Sequence, residues 1–197
     1  AGATYRRQQL PQPLDIDNPA LARDIQAARQ QALELAEKAQ ALRAEASRLL
    51  TEAEQMELLV AVQYACDRAE ELPAQIDHLS RRSEGKDSLL SGDDIQRQLV
   101  EVRSKLKSSS GIARDQLAQL EDSLDRNLKL ARQGRDARQA QVVSLSKLLA
   151  DAAGVLQQLQ NELRTADLTD AARVTEMRSL SEEVGQIRDN VELLASG

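Results

Sequence analysis

Catalysis by a protein needs a few reactive side-chain types held within reach of one another, and this sequence supplies few. It has one histidine, His78, and one cysteine, Cys66. On a single helix they lie too far apart along the axis for the imidazole to activate the thiol. Cys66 therefore reads as a small packed or half-buried thiol. A di-metal helical bundle needs Glu-x-x-His pairs on facing helices, but the residue three before His78 is Gln75. Zinc needs three or four Cys, His or carboxylate ligands. Cys66, Asp67, Glu70 and Glu71 cluster, yet acidic residues at helical spacing occur on any solvated face. No glycine-rich phosphate loop of either common pattern is present. The expectation is a non-enzymatic protein with no catalytic residue, no metal and no cofactor.

Two constellations could bind rather than react. Arg126, Lys129, Arg132, Arg135 and Arg138 recur every three residues. They form either a winding basic stripe for phosphates, lipid headgroups or an acidic partner, or a solvated face diluted by Asp125 and Asp136 whose aliphatic stems cover an alanine row. Arg135 and Arg138 fall at core slots of the heptad count, so either the coil opens there or an acidic group sits opposite; Glu34 and Glu37 are the candidates. The second constellation is apolar. Leu58, Leu59 and Val62 lie beside the core stripe, and Leu89 and Leu90 sit in a turn. Left uncovered, such a strip marks a partner site; covered, it closes a local contact.

The elements that would carry these residues are helices. From the Asn18-Pro19 start signal, apolar residues fall at 21, 25, 28, 32, 35, 39, 42, 46, 49, 53, 56 and 60, in alternating steps of four and three. That 3.5-residue repeat marks a left-handed supercoil. One row is mostly alanine and the other mostly leucine, so two backbones can approach closely. The spacing predicts one helix over about 19–82, kinked at Pro73, a turn over 83–92, a bent helix over about 93–166, and a third helix over 169–195. Residues 1–18, with Pro11 and Pro13, read as a flexible leader. Folding back at about residue 88 would place Ala53 near Ser123 and Ala32 near Ser144. The reading is an all-α, elongated antiparallel coiled-coil helical bundle, three-stranded at one end and two-stranded at the other.

Composition agrees. The chain of 197 residues has no Trp, no Phe and two Tyr, with 8 Gly and 4 Pro. That excludes aromatic-centred cores and leaves little turn chemistry for sheets. The net charge of −6 gives no large-scale attraction for nucleic acid. No apolar run approaches the ~20 residues of a membrane span, and a lone cysteine suggests a reducing, cytoplasmic setting. The expected function is a scaffold or spacer of the kind met in cytoskeletal assemblies, binding partner proteins or copies of itself through helical surfaces. The alternative is a helical hairpin bound peripherally to a membrane, supported by Tyr5-Arg6-Arg7 and the basic stripe.

Overall fold

The computed structural model describes residues 18–82 and 92–196, and among these the chain is all-α with no strand. Seven helices follow in order: α1 (Pro19–Leu49), α2 (Met56–Glu70), α3 (Leu72–Arg82), α4 (Gly92–Lys107), α5 (Gly111–Arg132), α6 (Ala137–Thr165) and α7 (Ala171–Ser196). The α1 start is as expected: Asn18 Oδ1 accepts from the Ala20 and Leu21 amides at 3.0 and 3.2 Å, with Pro19 opening the helix.

The long helix expected over 19–82 is instead broken at residues 50–55, and the chain reverses there. Leu50 leaves the helical region, and Glu52 and Gln55 form a reciprocal capping box around a single 3-10 turn, Ala53–Gln55. The return is antiparallel: Arg43 pairs with Asp67 and Glu70, and Arg29 with Asp77 at 3.0 Å. The heptad rows hold through Ala46, which is fully buried, and then slip. Leu49, Met56 and Val60 are exposed, and Leu50, Leu58 and Val62 take their places in the core. At Pro73 the interruption is the expected kink. It takes one non-helical residue, Glu71, and both α2 and α3 still pack on α1.

The bent helix expected over 93–166 is likewise three helices. Residues 108–110 separate α4 from α5, and Gly111 has φ of +61°. The α5 end is a Schellman motif. The Gly134 amide bonds to the Ala131 carbonyl, the Arg135 amide to the Leu130 carbonyl, and Gly134 sits at φ +71°. Asp136 then caps α6. The expected heptad phase through Gly134 is real as spacing, but a left-handed glycine followed by an aspartate N-cap outweighs it.

These breaks give antiparallel hairpins: α1 with α2/α3, α4 with α5, and α6 with α7. The first and last lie side by side in the same sense. Gln31 meets Ser146, Asp24 meets Gln139 and Glu45 meets Gln160, each pair 115 residues apart, so α1 and α6 run parallel. Arg68 with Asp189 and Arg178 with Glu57, both 121 apart, set α2 parallel to α7. The expected antiparallel pairing of the first helix with the 123–144 region does not form; Ala53 is exposed, and Ser123 packs in α5. The core is one continuous aliphatic cluster, and α1 lines it with Ala28, Ala32, Ala39 and Ala46, all fully buried. The α4/α5 hairpin lies against the other side of the α6/α7 hairpin, with α5 packed on both. α7 is thus central, and buries Met177, Val184, Ile187 and Val191 almost completely.

Candidate functional site

Three residues of the apolar strip expected as a partner site are covered within the bundle. Leu58 and Val62 are 2% and 0% exposed, and Leu59 packs against the same core. The reversal at 50–55 turns this face of α2 inward against α1 and α7. Leu89 and Leu90 lie outside the described residues. Cys66 is buried in α2 and His78 is exposed on α3. Burial pushes the Cys66 thiol up to about 11, so at neutral pH it is protonated and a poor nucleophile. Among the described residues no three His, Cys, Asp or Glu side chains are grouped as a metal would require.

The basic stripe fares differently. Arg126, Lys129, Arg132 and Arg135 are exposed, and Arg138 is 8% exposed. Arg138 does not reach Glu34 or Glu37. It folds onto Asp136, with Nε to Oδ1 at 3.3 Å and its own amide to Oδ1 at 3.0 Å. Asn18 Nδ2 adds a bond at 3.4 Å. Burial alone would raise the Asp136 carboxyl, but the hydrogen bonds from Arg138 and Asn18 outweigh it and hold the carboxyl below the usual carboxylate range. The one acidic group between residues 126 and 147 is therefore already engaged as a helix cap.

The remaining cations have no such partner. Arg126, Lys129, Arg132, Arg135 and Lys147 form no ion pair among the described residues. Several guanidinium groups elsewhere are tied to acids, as Arg103 is to Glu121 and Asp125 and Arg188 is to Glu71 and Asp189. Three of the unpaired cations converge. Arg126 on α5, Arg135 in the 133–136 turn and Lys147 on α6 line one groove of about 630 Å³, with Leu130, Ala140 and Val143 as its apolar surface. Val143 is 58% exposed. The Schellman turn builds this groove, because it folds α5 back along the first turns of α6.

A buried polar relay stiffens the wall. Asn127 Nδ2 donates to Gln141 Oε1 and, at 3.3 Å, to Ser144 Oγ; Gln141 Nε2 donates to Gln98 Oε1 at 3.0 Å; Gln98 Nε2 donates to the Leu193 carbonyl at 3.4 Å. One chain of bonds thus links α5, α6, α4 and α7. The sequence reading found the stripe but missed the groove, Lys147 and the relay. The available signal was the pairing of Gln133-Gly134 with Asp136, a helix stop followed by a start.

No family model matches this chain, and neither a curated protein nor a solved structure does.

Proposed function

We propose that this protein is a non-enzymatic helical scaffold that binds partner proteins or further copies of itself through helical surfaces, with the α5–α6 groove as its contact. The observation that carries the reading is the convergence of Arg126, Arg135 and Lys147, all without an acidic partner among the described residues, around exposed Val143 and half-buried Leu130 and Ala140. Such a groove suits an acidic amphipathic segment, which supplies carboxylates to the rim and aliphatic groups to the floor. Nucleic acid fits less well. Stacking platforms are aromatic, and the groove lining has none. The alanine and leucine seams support reading the hairpins as antiparallel coiled coils, a stiff frame on which the groove is held.

The test is binding of a labelled helical peptide of alternating Glu and Leu faces, followed by fluorescence anisotropy. Wild type binds with an affinity that falls as salt rises, and the Arg126→Gln/Arg135→Gln/Lys147→Gln variant binds at least ~10-fold more weakly, about 1.4 kcal/mol. Equal binding by both proteins sinks the groove as the contact.

A peripheral membrane reading has one observation in its favour, the exposure of Arg126, Lys129, Arg132 and Arg135. Among the described residues no helix is long and apolar enough to cross a membrane. Sedimentation with anionic vesicles decides: binding that moderate salt abolishes supports the membrane surface, and its absence leaves the protein partner.

A further inference from the structure

We infer that the groove's occupant is a second copy of this chain, which inserts its α1–α2 corner, so that molecules join head to tail. This rests on the groove being a contact surface and names what fills it.

The corner has the required chemistry. Residues 51–60 hold three glutamates and no cation. Glu52, Glu54 and Glu57 are exposed, and so are the aliphatic side chains beside them: Met56 is 39% exposed and Val60 64%. Glu54 has no ion pair among the described residues, and Glu57 reaches only Arg178, at 3.5 Å, with its own side chain 84% exposed. The Glu52–Gln55 capping box fixes the corner in shape, so little order must be gained on docking. Acid and aliphatic on the corner match cation and aliphatic in the groove. Residues 126–147 carry six cations against one acid in a chain of net charge −6, so the attraction is local and directional.

The two surfaces cannot meet within one molecule. α1 and α6 run parallel, from Asn18 beside Asp136 at one end to Glu45 beside Arg164 at the other. The groove flanks the first turns of α6, and the corner lies beyond Glu45. About 25 residues of helix separate them, or roughly 40 Å of rise. Two complementary patches at opposite ends make a heterologous contact, which propagates rather than closing as a symmetric dimer.

The experiment is sedimentation velocity on the full chain over about 10–500 µM, in ~20 mM and ~500 mM salt. Wild type gains mass with concentration at low salt and returns to a single chain at high salt. Two variants locate the contact: Arg126→Gln/Arg135→Gln/Lys147→Gln in the groove, and Glu54→Gln/Glu57→Gln/Val60→Ser on the corner. All six positions are exposed, and helicity by circular dichroism confirms that each variant folds. Each variant alone stays a single chain. An equimolar mixture forms a two-chain species and nothing larger, because each supplies the one surface the other lacks. A wild type that stays monomeric throughout, a mixture that does not pair, or association that either variant leaves intact overturns the inference. If the Glu/Leu peptide binds the groove while the wild-type chain stays monomeric, the groove remains a contact for other proteins and only the self-docking falls.

Discussion

At the scale of single residues, α2 shows how two positions two apart can have opposite fates. Leu58 is 2% exposed and Val60 64%. Leu58→Ala removes packed methyl groups from the core and costs about 2–5 kcal/mol, whereas Val60→Ala changes stability by under ~0.5 kcal/mol. Urea denaturation of the two variants checks this, and the reverse order would restore the uninterrupted heptad count. Asp136 is the second informative residue. Its carboxylate caps α6 and bonds the buried Arg138, so Asp136→Ala costs roughly 0.5–2 kcal/mol from the lost cap. The sign of its pH dependence follows from the lowered folded-state value. A carboxyl depressed on folding stabilises the protein above its unfolded value near 3.8, and that contribution fades as pH falls below it. The stability difference between wild type and Asp136→Ala therefore narrows between neutral pH and about pH 3.

At the scale of elements, the α4/α5 hairpin depends on polar as well as apolar anchoring. Gln141 stands at the middle of the relay from Asn127 to Gln98. Gln141→Ala leaves two buried amides short of partners and costs about 1–3 kcal/mol. The loss is uneven: amide exchange rises most in α4, which packs chiefly on α5 and is bonded to α6 and α7 through Gln98. A uniform rise across all helices would show the relay to be incidental. The elements themselves were partly legible. The buried rows of α1 through Ala46, of α6 from Val142 to Leu163 and of α7 from Met177 to Leu194 were all readable from spacing. The reversal at 50–55 was not, because steps of three and four continue through a turn that happens to preserve them. Glu52-x-x-Gln55 was the local signal, and a capping box inside a regular repeat is easily outvoted. At Gly134 the same conflict arose, and the left-handed glycine decided it.

At the scale of the whole molecule, the 115-residue offset between α1 and α6 makes two hairpins lie in the same sense. Cysteine pairs test this directly on a Cys66→Ala background. Gln31→Cys with Ser146→Cys reacts with a short bismaleimide to give an intramolecular crosslink, since the native side chains already touch at 3.0 Å. Ala53→Cys with Ser123→Cys, the pairing of a single long hairpin, does not. The candidate site was legible only as composition at this scale. A basic stripe can be counted along a chain, but a groove needs two helices whose mutual placement rests on a turn. The offset has one more consequence. Asn18 is beside Asp136, and Arg82 donates to the Ala195 carbonyl; the relay joins the start of α6 to the end of α7. Residues 18 and 196 therefore leave the bundle at the same end. Tension applied through them would open the bundle from that one end, parting α1 from its neighbours and drawing the central α7 out turn by turn, rather than drag whole helices past each other.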